Sequence, residues 1–193
     1  MLFNLFELAI CIPLSNWIKS KIKNTVCDIV KPRVGSVVKV ALIGGTMDHS
    51  GIYIGRPIFG IFGKEQIVEV TNIEGFAMVR RVSIKDFFNG VPGGFKYRTG
   101  DFIYVACKQD RNGKCIAMGS KDVAKRAKAA VGQASKYYLV FNNCHMFTEY
   151  CITGIYPKVT GTILSIEKAL KNKYTQESSE RLWDMWRSTG IHR

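Results

Sequence analysis

The stretch VFNNCHMFTEYCITG, residues 140–154, places a cysteine, Cys144, behind two asparagines and ahead of an amphipathic run that closes at Gly154. Asn142 or Asn143 suits the N-cap of a helix, because a short amide side chain accepts hydrogen bonds from the first backbone N–H groups. Phe147, Tyr150 and Cys151 then recur on one face, which packs inward. Cys144 falls on the first turn, where unpaired N–H groups and the helix dipole favour an anion. Such a position lowers a thiol pKa, makes a thiolate nucleophile, and points the same N–H groups at a developing oxyanion. The alternatives for Cys144 are a small buried core residue, which is what most free cysteines are, and a metal ligand. Six cysteines without a CxxC pair, and three histidines without zinc spacing, speak against metal and against a disulfide framework.

A thiolate nucleophile needs a base. His49 opens a strand after a Gly-rich loop, so it is expected at a sheet edge. The base needs an orienting group in turn, and Glu69 lies on the next strand. If the hairpin folds symmetrically about Phe59, His49 and Glu69 become cross-strand neighbours on one face. His145 is adjacent to Cys144. Neighbours on a helix point about 100° apart, so its ring is not expected to reach the thiol. Asn72 and Glu65 compete with Glu69 as the orienting residue.

The elements that must hold these residues read as follows. VGSVVKV and DHSGIYIG are strands, the second alternating Ser50, Ile52, Ile54 against His49, Gly51, Tyr53. QIVEVTN pairs with it across the Pro/Gly loop RPIFGIFGKE. VRRVSIKDFFNG begins as a strand and continues as a helical turn capped by Ser83, with Asp86 in capping-box spacing. TGDFIYVACKQDRNGK is a strand ending in an Asn-Gly turn. Ser120 caps a helix over SKDVAKRAKAAVGQASKY, with Val123, Ala127, Ala130, Val131 and Ala134 on its inner face. The tail TILSIEKALKNKYTQESSERLWDMWRSTGIHR reads as one or two amphipathic helices, with Leu182, Trp183 and Trp186 forming an apolar patch.

DHSGIYIG, IVEV and KAAVGQASKYYLVFNNCHMFTEYCITG together resemble the lecithin:retinol acyltransferase-like family, over about Lys31 to Gly154. The resemblance implies the circularly permuted, papain-like NlpC/P60 fold and a Cys-His-polar triad. Cys144 would accept an acyl group as a thioester, and His49 would act as general base and then acid. The third position of the family is often a second histidine, and here the matching strand offers Glu69. The family often reads Asn-Cys-Glu-His-Phe where this chain has Asn-Cys-His-Met-Phe, so the resemblance assigns His145 no role. The loop RPIFGIFGKEQ is longer than usual and reads as a lid or a lipid-facing tip.

The expected fold is α+β, with an antiparallel sheet packed against the Cys144 helix and extra terminal helices. One domain fits the 193 residues. The expected division is an apolar and basic N-terminal helix over 1–30, a catalytic domain over 31–156, and a helical extension over 157–193. Residues 1–18 are nearly all apolar and are followed by Lys19, Lys21 and Lys23. That order is the reverse of a secretory signal, and Glu7 and Pro13 interrupt a run too short to span a bilayer. The segment reads either as a helix packed on the domain or as an interfacial contact. The chain carries 28 Lys+Arg against 15 Asp+Glu, a net charge of +13, which favours anionic partners. A basic motif interleaved with aromatics is not evident, so nucleic acid is disfavoured and an anionic membrane surface preferred. Cysteine usage suits a reduced, cytoplasmic setting, with attachment to a membrane through the N-terminus. No cofactor and no metal are expected.

Three activities are compatible with these residues. The first is a thiol-dependent acyltransferase or phospholipase acting on an acyl lipid at a membrane surface. The second is a cysteine amidase or peptidase, and the third a non-catalytic binding module.

Overall fold

A computed structural model describes residues 30–42, 47–57, 63–90, 98–136, 143–158, 161–174 and 182–188. The apolar N-terminus, residues 58–62 of the loop after Gly55 and the connector before Asn143 lie outside these residues. The described elements are a mixed α/β set with one antiparallel sheet. Its strands are β1 (Val37–Leu42), β2 (Met47–Gly55), β3 (Gln66–Ile73), β4 (Phe76–Ser83), β5 (Arg98–Gln109), β6 (Cys115–Ala117), β7 (Ala134–Lys136) and β8 (Trp183–Ser188). Four helices accompany it: α1 (Ile84–Asn89), α2 (Lys121–Ala129), α3 (Cys144–Thr153) and α4 (Ile163–Tyr174).

The strand order is β6-β5-β1-β2-β3-β4-β7, with β8 on β5. Alternation along β2 supplies two cores at once. Ile52 and Ile54 join Val68, Val70, Val123, Phe147, Cys151 and Ile166 on the side of α2, α3 and α4. Tyr53 joins Val38, Val40, Ile67, Val82 and Phe87 of α1 on the other. Burying one Ile or Phe side chain is worth about 1.5–3 kcal/mol, so slipping β2 by one residue would invert both layers and is strongly disfavoured.

The local signals hold where the chemistry is local. Ser83 Oγ accepts the Asp86 N–H at 3.1 Å and caps α1. Ser120 Oγ accepts the Val123 N–H at 3.4 Å and caps α2. Gly113, in the Asn-Gly turn after β5, takes φ 74°.

Three expectations are corrected. The helix begun at Ser120 stops at Ala129, and Gly132 at φ 91° turns the chain so that residues 134–136 pair with β4. His49 is not at a sheet edge: β2 sits between β1 and β3, and His49 is 6% exposed. The extension after residue 157 is not all helix. α4 is followed by β8, which pairs antiparallel with β5 and carries Trp183 and Trp186. Bulky residues spaced i, i+1, i+4 fit a helix face, but they also fit a short strand covered on both sides. The tertiary context decides for strand, because β5 would otherwise leave a row of unpaired N–H and C=O groups. None of the helices among the described residues is long and apolar enough to cross a membrane.

Candidate active site

Asn143 builds the site from its local end. Its Oδ1 accepts the N–H of His145 at 3.0 Å and of Met146 at 2.9 Å, while its Nδ2 donates to the Gly161 carbonyl at 3.1 Å. An amide is suited to this place because it must both accept and donate; Asp would accept only, and a Ser hydroxyl has a single donor proton. Gly161 packs so closely on the first turn of α3 that an added Cβ would collide with the backbone and side chain of Met146. At the far end Gly154, with φ 81°, closes α3 by donating its N–H to the Tyr150 carbonyl at 2.8 Å.

Cys144 is thereby the first helical residue of α3 and is 7% exposed. Of the first-turn donors expected to face an oxyanion, two are taken by the cap. The Cys144 N–H is not among those that Asn143 holds.

His145 departs from expectation. Its Nδ1 lies 3.9 Å from Cys144 Sγ and 2.9 Å from Ser50 Oγ. Side chains of a helix lean toward its N-terminus, so the ring tilts back over Cys144 instead of swinging away. Ser50 anchors it there. The Ser50 hydroxyl donates to the Cys144 carbonyl at 3.3 Å and lies 3.0 Å from Thr148 Oγ1.

His49 is fixed from the other side of the β2 pleat. Its Nε2–H donates to Glu69 Oε2 at 2.7 Å. The register is not the one expected: Glu69 is opposite Gly51, two residues from His49. The two side chains meet diagonally on one face, and the glycine opposite Glu69 leaves room for it. A Cβ at Gly51 would press on Ile67 and on the Phe87 ring, which stacks 5.3 Å from the His49 ring. With Nε2–H committed to the carboxylate, the accepting nitrogen of the neutral ring is Nδ1.

Glu69 is fully buried and does not rely on His49 alone. Arg80 lies directly opposite it on β4 and donates from Nε at 3.1 Å and Nη2 at 2.8 Å to Glu69 Oε1. Sequence reasoning missed Arg80, although a signal was present. Glu74 and Gly75, at φ 52° and 87°, form the turn between β3 and β4, and counting outward from that turn pairs residue 69 with residue 80. The rival residues are engaged elsewhere. Asn72 Oδ1 accepts the Gly75 N–H at 2.9 Å, and Glu65 Oε1 accepts the Tyr53 hydroxyl at 2.8 Å.

A buried carboxylate that loses one partner retains its desolvation cost, typically about 3–5 kcal/mol for a broken buried pair. Arg80→Met should therefore lower the melting temperature by about 6–12 °C at the lower end of that range. Arg80→Met combined with Glu69→Gln should lose less than Arg80→Met alone. Thermal unfolding of the two variants checks this, and an unchanged melting temperature in Arg80→Met would remove the pair from the fold's support.

The electrostatics converge on the thiol. Burial pushes the Cys144 pKa up, but attraction to His145 and His49, with hydrogen bonds to both rings, outweighs it and holds the thiol well below its ordinary value. Cys151, two turns along the same helix, shows the opposite balance. Burial pushes it up to about 12, only partly offset by Arg126. A cavity of about 540 Å³ opens further along α3, walled by Val70, Val79, Phe147, Tyr150 and Tyr156; Cys144 and His49 are not in its wall.

Comparison with known proteins adds an independent finding. The family description "Lecithin retinol acyltransferase" matches residues 30–157. Phospholipase A and acyltransferase 2 of Homo sapiens is 26% identical over 145 residues, covering 70% of this chain and 81% of that protein. No solved structure matches the chain.

Proposed function

The chain belongs to the lecithin retinol acyltransferase family, and from that membership we propose that it is an acyltransferase or phospholipase whose nucleophile is Cys144. The observation that carries the reading is a buried thiol on a capped first turn whose pKa His145 and His49 both lower, His49 itself hydrogen-bonding a buried carboxylate. We read the order of the parts, histidine strand first and cysteine helix last, as the circularly permuted papain-like arrangement.

In this mechanism the Cys144 thiolate attacks the carbonyl of a lipid ester. The tetrahedral oxyanion forms at the N-terminus of α3, where the helix dipole favours it. Collapse breaks the ester C–O bond, and the His49 imidazolium passes its proton to the departing alcohol. The thioester is then attacked by an acceptor hydroxyl or amine, or by water, whose proton returns to His49 as the thiolate leaves. Glu69 keeps the ring in one tautomer and supports its charge.

Intact-protein mass after incubation with a phosphatidylcholine series tests the reading. An acyl adduct on Cys144 supports it. Absence of the adduct together with cleavage of amide substrates would assign the site to a cysteine amidase or peptidase.

Replacing Glu69 by Gln should slow turnover about 10–100-fold, by analogy with supporting residues at other sites, while Cys144 still alkylates. If Glu69→Gln is silent in kcat, Glu69 serves the fold alone. The net charge of +13 and the apolar run before Lys19 support an anionic membrane surface as the place of action. Deletion of residues 1–18 should weaken co-sedimentation with anionic liposomes; undiminished sedimentation would move the contact elsewhere on the chain.

A further inference from the structure

Cys107, Cys115 and Asp184 take no part in the chemistry above, yet the fold gathers them. β5 carries Cys107, β6 carries Cys115 and β8 carries Asp184, and β5 pairs with both of the other strands. In the β5–β6 ladder Gln109 faces Cys115 and Cys107 faces Ala117, so the two cysteines are diagonal neighbours on one face. The two sulfurs and a carboxylate oxygen all lie within 4.8 Å of one another. Cys107 and Asp184 are buried, and Cys115 is half-buried.

We propose that these three residues bind a thiophilic divalent cation of the Zn²⁺ type. The donor set is the first reason. Two thiolates and a carboxylate suit Zn²⁺, whose bonds to sulfur and oxygen are about 2.3 and 2.0–2.2 Å. A tetrahedral ion with those bonds holds its ligand atoms roughly 3.5–3.8 Å apart, so side-chain adjustments of about 1 Å close the site. Environment is the second reason. Asp184 Oδ1 accepts the Met185 N–H at 2.8 Å, which fixes the carboxylate. The exposed side of Cys115 gives the ion its entry, and water fills the fourth position. Binding releases two thiol protons to solvent and leaves a dithiolate–carboxylate complex of net charge −1.

Asp184 lies beyond residues 30–157, the part shared with the family. The ion would therefore tie the C-terminal strand to the β5–β6 hairpin, a staple that belongs to this chain's extension. Spacing alone hides the site, because its ligands come from three strands and Asp184 is 69 residues beyond Cys115.

The test uses the full chain, stripped of metal and kept reduced, and titrated with Zn²⁺ against a chromogenic chelator. One equivalent should bind. The melting temperature should rise by about 5–10 °C at a hundredfold excess over Kd. Cys115→Ser and Asp184→Asn should each lose that equivalent, and Cys144→Ala should keep it. Peptide-mapped alkylation of the wild-type chain gives a readout that no variant's folding can obscure: Zn²⁺ should slow the reaction at Cys115 at least tenfold. Failure to bind Zn²⁺, binding that survives both ligand variants, binding lost in Cys144→Ala, or an unprotected Cys115 would each overturn the proposal.

Discussion

Cys144→Ala should abolish turnover and leave the melting temperature nearly unchanged. Alanine can form no thioester, so the variant lacks the proposed nucleophile. In Ser-His-Asp enzymes, removal of a triad member leaves only about 10³–10⁴ above water, supplied by binding and oxyanion contacts, and a residual rate of that size would fall below detection here. The fold should tolerate the change. Alanine keeps the Cβ, the helix start is held by Asn143, and Ala is a better helix former than Cys. The accompanying titration has a definite sign. A thiol held below its ordinary pKa favours the anion in the folded state, so its contribution to stability is complete above about pH 8.5 and is lost as pH falls through the folded value. Iodoacetamide should accordingly modify Cys144 well below pH 8.5, while Cys151, pushed up to about 12, stays inert in the folded chain. Wild-type turnover in Cys144→Ala would end the mechanism. A Cys144 that alkylates only at alkaline pH would end its electrostatic basis.

His49→Ala should cost about 10²–10⁴ in kcat, the usual contribution of a positioned general base. His145→Ala should cost no more than about tenfold, the equivalent of one pKa unit of interaction. Both rings bear on the thiol, and His145 and His49 both lower its pKa. The rings differ in what stands behind them. His49 donates to a fully buried carboxylate that Arg80 also holds, so the imidazolium formed during proton transfer has a fixed counter-charge. His145 is anchored by the neutral Ser50 hydroxyl, which supplies orientation without charge. Its removal should raise the pKa of the thiol and move the acidic limb of the pH–rate profile upward, with the plateau rate little altered. His49→Ala should depress the plateau itself. If the plateau collapses in His145→Ala and survives in His49→Ala, the base is His145, and the His49–Glu69–Arg80 row is a structural ion network.

By itself the sequence determined the features that depend on a few consecutive residues. Asn143 before Cys144, Ser83 before Asp86 and Ser120 before Val123 each form a cap through a side chain and a backbone group two or three residues away. No distant contact is needed for them to form. Alternation in β2 and β3 likewise placed His49 and Glu69 on one side of their strands. Tertiary structure decided everything that required two remote segments to meet. Glu69 pairs with Gly51 and reaches His49 diagonally, because the register of β2 on β3 is set by packing on both faces and not by the midpoint of the loop. His145 reaches the thiol because Ser50, 95 residues earlier, holds its ring. The Trp183–Ser188 segment is a strand because β5 has an edge to fill, and a run of six residues is too short for its own periodicity to choose between helix and strand. That choice also carries Asp184 to Cys107 and Cys115. Short-range hydrogen bonds can be read along the chain, but a ligand set drawn from three strands exists only once the sheet has closed.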